Sequence, residues 1–127
     1  MSKMQLSPYV NFQGRAREAM EFYQKALGGQ VDVQTGPDDR VAYARFEVDG
    51  ALIVGSDGHP KFAPTVGDNM AIALNGTDKA RLSKAFTALA EGGQLKGPLT
   101  KQPSGAEVGY LMDKFGINWI VSIDKSD

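Results

Sequence analysis

The chain contains no cysteine and a single histidine among its 127 residues. Without cysteine it has no disulfide framework, no thiolate nucleophile and no cysteine-based zinc site. No apolar run approaches the ~20 residues that a membrane-spanning helix needs, and no apolar segment typical of a signal peptide follows the first residues. We therefore expect a cytoplasmic protein that makes no contact with a membrane.

The chain also has no large excess of positive or negative charge. The 14 lysines and arginines and 15 aspartates and glutamates give a formal net charge of -1, and both signs are spread along the chain. A nucleic-acid partner is not expected, because a phosphate backbone is bound by a basic stripe. The length and the 42% of hydrophobic residues are those of one ordinary globular domain.

The first half of the sequence has the pattern of a strand, a helix and three further strands. Residues 6–12 alternate between apolar and polar side chains, as a half-buried strand does. Apolar residues then recur at helical spacing, and Gly28-Gly29 ends the predicted helix. These apolar residues are Ala16, Ala19, Met20, Tyr23, Ala26 and Leu27. Three strands are predicted next, at residues 30–34, 40–48 and 51–56.

The same pattern restarts in the second half. A strand is predicted at residues 70–74, and a helix follows it that buries Leu82, Ala85, Phe86 and Leu89. Three strands are predicted near residues 94–100, 106–112 and 117–123. The tripeptide Gly-Gly-Gln recurs at an offset of 64 residues, after each helix.

This repetition predicts an α+β fold of two βαβββ modules, with the strands in an open, curled mixed sheet and the helices outside. The modules cover about residues 5–57 and 69–124 of one domain, and a loop at residues 58–68 connects them. A ferredoxin-like sandwich is the competing fold. It requires a helix between the third and fourth strands of each half, and the loop is too rich in proline and glycine for one.

Several short motifs support this prediction. They are Pro8-Tyr9-Val10-Asn11-Phe12, Leu27-Gly28-Gly29, Ser56-Asp57, and Asp113-Lys114-Phe115-Gly116 followed by Trp119. Together they resemble the PhnB-like branch of the glyoxalase/bleomycin-resistance/dioxygenase superfamily, also called vicinal oxygen chelate proteins. The resemblance covers nearly the whole chain, and it implies paired modules that form an open cup and assemble as a homodimer. Methyl transfer, which some members' names mention, is not expected, because no glycine-rich turn follows the first strand.

The metal ligands of the superfamily are missing from the sequence. Metal-using relatives bind one divalent ion with His, Gln or Glu from the first and fourth strands of each module. Here the first strand offers Ser7, Tyr9 and Asn11, and Ile120 falls where metal-binding members place glutamate. Three or four nitrogen or oxygen ligands are needed to hold such an ion. We therefore expect no metal and no other cofactor.

The third predicted strand has two faces of different chemistry. The face assigned to helix packing is formed by Ala42, Ala44, Phe46 and Val48. The opposite face, assigned to the cup, is formed by Val41, Tyr43, Arg45 and Glu47. Arg45 and Glu47 either bind a polar group of a ligand or pair with each other.

We predict eight ligand-contacting residues: Tyr9, Asn11, Tyr43, Arg45, Glu47, His59, Tyr110 and Ile120. Tyr110 is equally compatible with the core, and Trp119 is assigned to the core. His59, in the connecting loop, is either a solvated side chain or a proton-transfer group at the mouth of the cup.

An apolar and aromatic cup with one charged pair is better suited to holding a molecule than to converting it. The sequence therefore predicts a metal-independent small-molecule-binding protein, which sequesters a bulky aromatic natural product or antibiotic as bleomycin-resistance relatives do. The alternative is a lyase, isomerase or dioxygenase of the glyoxalase type, with a nonstandard site around Glu47, His59 and Glu107. A housekeeping dimer with another ligand is the third hypothesis, since this architecture hosts several unrelated chemistries.

Overall fold

The computed structural model of the chain describes residues 4–59 and 64–125. The chain divides into two compact units, residues 1–65 and residues 66–127. Each unit contains a four-stranded mixed sheet and one helix. The predicted α+β fold of two βαβββ modules is confirmed. In the first unit a hairpin joins the third and fourth strands, so the ferredoxin-like alternative is wrong. Residues 60–63 of the predicted connecting loop lie outside the described residues.

The first unit consists of β1 (Tyr9–Asn11), α1 (Ala16–Leu27), β2 (Gln30–Thr35), β3 (Val41–Val48) and β4 (Ala51–Ser56). Its strand order is β1-β4-β3-β2, and β1 runs parallel to β4 while the other pairs are antiparallel.

The second unit consists of β5 (Ile72–Gly76), α2 (Lys79–Ala90), β6 (Gln94–Lys101), β7 (Glu107–Met112) and β8 (Asn118–Ile123). Its order, β5-β8-β7-β6, repeats that of the first unit, again with one parallel pair. Within the described part of the chain, neither helix is long and apolar enough to cross a membrane.

The core of the first unit lies between α1 and one face of its sheet. Tyr23 of α1 is fully buried, and its ring centroid lies 6.2 Å from those of both Phe12 and Phe46. Ala44 is buried on the same side of β3 as Phe46. Because side chains alternate along a strand, this packing assigns the odd-numbered residues from Tyr43 to Glu47 to the sheet face away from the helix.

The alternation in β3 reverses near its start. Ala42, which we predicted to pack on the helix, is exposed, whereas Val41 is 4% exposed. Gln34 pairs with Tyr43 and Thr35 pairs with Val41, so Ala42 is an extra residue that bulges from the pairing with β2. A bulge shifts the following alternation by one residue, and the prediction for Val41 and Ala42 is wrong for that reason.

The first strand of each unit is shorter than predicted. Leu6 is 94% exposed and precedes β1, while Met70 is 77% exposed and precedes β5. The Pro8 carbonyl accepts a hydrogen bond from the Val54 amide at 3.0 Å, but the proline nitrogen has no proton to donate to a ladder. Regular pairing therefore begins at Tyr9 rather than at Leu6.

The second unit buries one face of α2 on its sheet. Its buried helix residues are the predicted set, Leu82, Ala85, Phe86 and Leu89. Phe86 lies over Gly109 of β7, where an added Cβ would be 2.6 Å from the ring. Trp119 is 2% exposed, which confirms its assignment to the core.

The repeated Gly-Gly has the same steric role in both units. A Cβ on Gly29 would collide with the carbonyl oxygen of Glu47, and a Cβ on Gly93 would collide with that of Met112. The chain can leave each helix and enter the next strand this close to its neighbour only because glycine has no side chain.

Candidate ligand-binding faces

The helix-free face of the first sheet, formed by side chains that point away from α1, carries most of the predicted ligand residues. Tyr9 is 61% exposed and Tyr43 is 38% exposed. The side chains of Arg45 and Glu47 are 45% and 47% exposed. Asn11 is half-buried on the same face.

One row of residues crosses this face from edge to edge. Tyr9 pairs with Val54, Val54 pairs with Arg45, and Arg45 pairs with Asp32. Neighbouring strands lie ~4.8 Å apart, so the backbones at Tyr9 and Arg45 are ~10 Å apart. The row therefore presents an aromatic ring, an aliphatic floor and a guanidinium within the length of a fused-ring molecule.

Arg45 and Glu47 form an open ion pair on this face. Their closest nitrogen and oxygen atoms are 3.7 Å apart, and both side chains are nearly half exposed. The structure is therefore compatible with both interpretations from the sequence, that Arg45 and Glu47 bind a polar group of a ligand or that they pair with each other. Exposed pairs of this kind contribute only ~0–1 kcal/mol, so a ligand oxygen can replace the glutamate at the guanidinium at little cost.

Tyr9 is positioned by a contact with Ser56, which the sequence prediction missed. The Tyr9 hydroxyl donates to Ser56 Oγ at 2.9 Å, and the Gly58 amide donates to the same oxygen at 3.1 Å. Asn11 lies opposite Ser56 in the β1–β4 pairing, and its Oδ1 accepts from the Gln13 amide at 2.8 Å.

Asp57 holds the end of β4 in place. It is 9% exposed, and its carboxylate accepts from the Ala16 amide at 2.9 Å and from the Val41 amide at 2.8 Å. Arg40 Nη2 donates to the carbonyl oxygens of Asp57 and Gly58, at 3.0 and 2.9 Å. The Ser56-Asp57 motif marked this position in the sequence, but partners 16 and 41 residues away could not be predicted from a local pattern.

The second unit places Tyr110 and Ile120 on the helix-free face of its own sheet. Ala73 pairs with Ile120, Ile120 with Tyr110, and Tyr110 with Gly97. Tyr110 is 50% exposed, so its alternative assignment to the core is wrong. The position of a Cβ on Gly97 lies 3.2 Å from Tyr110 Cδ2, so the tyrosine ring leans over the glycine.

The residues of the alternative enzymatic site have different environments. Glu107 lies two residues before Gly109, on the helix side of its sheet, and its Oε2 is 3.1 Å from Lys79 Nζ. Glu107 and Tyr110 are therefore on opposite faces of β7. His59 is exposed and follows β4 closely.

The first and fourth strands do not fit a divalent metal. Their side chains on the helix-free faces are Tyr9, Asn11, Leu52, Val54 and Ser56 in the first unit, and Ala73, Asn75, Asn118, Ile120 and Ser122 in the second. These are hydroxyls, neutral amides and aliphatic groups, without an imidazole or a carboxylate. No group of three histidine, aspartate or glutamate side chains that could hold a metal occurs within residues 4–59 and 64–125.

Comparison with known proteins identifies the family. The model of the family described as 3-demethylubiquinone-9 3-methyltransferase matches residues 4–122. The chain belongs to this PhnB-like family. Its structure is similar to that of protein PA1353 from Pseudomonas aeruginosa, with 31% identity, a TM-score of 0.87, and coverage of 98% of this chain and 100% of that one.

Two further structures are similar to the PhnB-like chain. The putative 3-demethylubiquinone-9 3-methyltransferase, PhnB protein, from Bacillus cereus is 24% identical, with a TM-score of 0.76 and coverage of 94% of this chain and 98% of that one. A glyoxalase-related enzyme from Fulvimarina pelagi is 20% identical, with a TM-score of 0.68 and coverage of 95% and 88%. These two likenesses show that the chain shares the fold of these proteins.

Proposed function

We propose that this PhnB-like protein binds a small aromatic molecule without a metal, on the helix-free face of its first sheet. The observation that carries the proposal is the row of Tyr9, Val54 and Arg45, which joins a stacking surface, an apolar floor and a cation. Aromatic side chains with a polar tip suit such a partly wet surface. A bulky aromatic natural product or antibiotic, sequestered unchanged, is the ligand class that we propose.

Arg45 is the group that orients the ligand in this proposal. Within the described residues its guanidinium makes no protein hydrogen bond, and its ion pair with Glu47 is long. A carboxylate or phenolate oxygen can therefore dock on Arg45 while the attached rings lie over Val54 and Tyr9. Hydrogen bonds to charged groups contribute about 1.5–3 kcal/mol.

Methyl transfer is not part of the proposal, although the family's description names it. Residues 12–16 read Phe-Gln-Gly-Arg-Ala, so the turn that follows β1 is not glycine-rich. The Asp57 carboxylate also accepts a hydrogen bond from the Ala16 amide at the start of α1. A helix N-terminus already capped by a side chain has fewer amides left for a cofactor.

A homodimer is proposed as the assembly. Each sheet has two edge strands, β1 and β2 in the first unit and β5 and β6 in the second. Unpaired edges invite pairing with another chain, and closed two-fold dimers are the commonest soluble oligomers.

The test is isothermal titration calorimetry with a panel of planar aromatic carboxylates, phenols and quinones. Arg45→Ala should weaken binding of the anionic members by about 1.5–3 kcal/mol. Arg17→Ala, which removes an exposed arginine from α1, is the matched control and should bind as the wild type does. Equal affinities for all three proteins would refute the role of Arg45, and chemically altered ligand recovered from the titration would make the protein an enzyme.

A further inference from the structure

The hydroxyl groups of Tyr9 and Ser56 carry two protons, and the hydrogen bond between them uses only one. A hydroxyl offers one proton and two lone pairs. The Tyr9 hydroxyl and the Gly58 amide both donate to Ser56 Oγ, so both lone pairs of that oxygen are used. Among the described residues, Ser56 donates its own proton to no acceptor. If the bond between the hydroxyls runs the other way, the spare proton belongs to Tyr9 instead.

This spare donor lies on the proposed ligand face. Tyr9 is 61% exposed, Ser56 is 8% exposed, and Val54 lies next to both. Asp57, held by two backbone amides, fixes the chain directly after Ser56. The donor is therefore rigidly placed beside an aromatic ring and an aliphatic floor.

The second unit contains an asparagine and a serine at the positions of Asn11 and Ser56, but its serine makes a different hydrogen bond. Asn75 lies opposite Ser122 as Asn11 lies opposite Ser56. Ser122 Oγ donates to Asp124 Oδ1 at 2.8 Å, so its proton is used within the chain. The duplicated fold thus provides an internal reference, in which the equivalent serine has no proton to offer to a ligand.

We infer that the Tyr9–Ser56 pair donates a hydrogen bond to a neutral carbonyl or quinone oxygen of the ligand. This inference rests on the proposed function, in which Arg45 binds the ligand's anionic group. The two subsites together select a planar aromatic molecule that carries both a carbonyl oxygen and an anion. The backbones at Tyr9 and Arg45 are ~10 Å apart, which sets the scale of the separation between these two groups.

The experiment uses two probes with the same three-ring carbon skeleton and carboxylate, anthraquinone-2-carboxylate and anthracene-2-carboxylate. The first has two carbonyl groups in its central ring where the second has aromatic C–H groups. Wild-type protein should bind the quinone more tightly by roughly 3- to 10-fold, the change that one neutral hydrogen bond brings. Tyr9→Phe and Ser56→Ala each leave one hydroxyl with a proton, so each should keep part of this preference. The double variant Tyr9→Phe/Ser56→Ala should lose it, and Ser122→Ala should keep it in full.

The outcomes separate this inference from the proposed function. If wild type binds both probes equally, or if the double variant keeps the full preference, the donor subsite is refuted. In that case a loss of affinity for both probes in Arg45→Ala would still support the proposed function. If neither probe binds at millimolar concentration, both the subsite and the proposed function are refuted.

Discussion

Asp113 illustrates at the residue scale how a family motif can be structural. It is 1% exposed, and its Oδ1 accepts from the amides of Phe115 at 2.9 Å and Ile117 at 3.1 Å. Its Oδ2 accepts from Trp119 Nε1 at 2.9 Å. One carboxylate thus closes the turn between β7 and β8 and anchors the buried indole. The motif is part of the family resemblance in the sequence, and its carboxylate accepts hydrogen bonds from within the chain.

Asp113→Asn should destabilise the protein. An asparagine side chain has one acceptor oxygen, so either the turn amides or the indole would face an NH2 group. Leaving a buried donor without a partner costs roughly 1–3 kcal/mol in the free energy of unfolding. Urea unfolding would measure this loss, with the exposed Asp68→Asn as the unaffected control. Equal stability of Asp113→Asn and wild type would refute the anchoring role.

At the scale of the element, one part of β3 follows its sequence pattern and another part departs from it. The two-residue period correctly placed Ala44 and Phe46 against the helix. It failed at Val41 and Ala42, because a bulge depends on the register with β2 and not on the local sequence. A period can be read from one strand, whereas a register requires its neighbour.

The two faces of β3 should respond differently to truncation. Phe46→Ala removes a ring that is 1% exposed and packs on Tyr23, so we expect a loss of roughly 3–5 kcal/mol in the free energy of unfolding. Arg45→Ala, on the half-exposed face, should change it by less than ~0.5 kcal/mol. Thermal and urea melts of both variants would check this. The reverse order of stabilities would mean that the faces of β3 have been exchanged.

At the scale of the whole molecule, the repeated pattern predicted the duplication. It did not predict which side chains contact each other across the strands. The Tyr9–Ser56 bond joins residues 47 positions apart, and nothing in either local sequence indicates it. The sequence offered Glu107 as a catalytic group, but the structure places it on the helix side with Lys79. Strand periods and glycine pairs are local properties, whereas side-chain partners across strands are set by tertiary packing.

The proposed assembly predicts a mass in solution of twice the 13.6 kDa of one chain. An interface that completes the sheet edges should bury more than ~1,000 Å², which is enough for a stable dimer at micromolar concentration. Size-exclusion chromatography with light scattering would measure the mass. A value near 13.6 kDa across the micromolar range would contradict the dimer.

The central claim is that a ligand binds without a metal on the helix-free face of the first sheet. The most direct test is methyl NMR of EDTA-treated protein titrated with anthraquinone-2-carboxylate. We expect saturable shifts of the Leu52 and Val54 methyl signals, little change at Ile53 on the helix side, and no effect of added zinc. Binding that appears only after zinc is restored, or shifts at Ile53 without shifts at Leu52 and Val54, would contradict it.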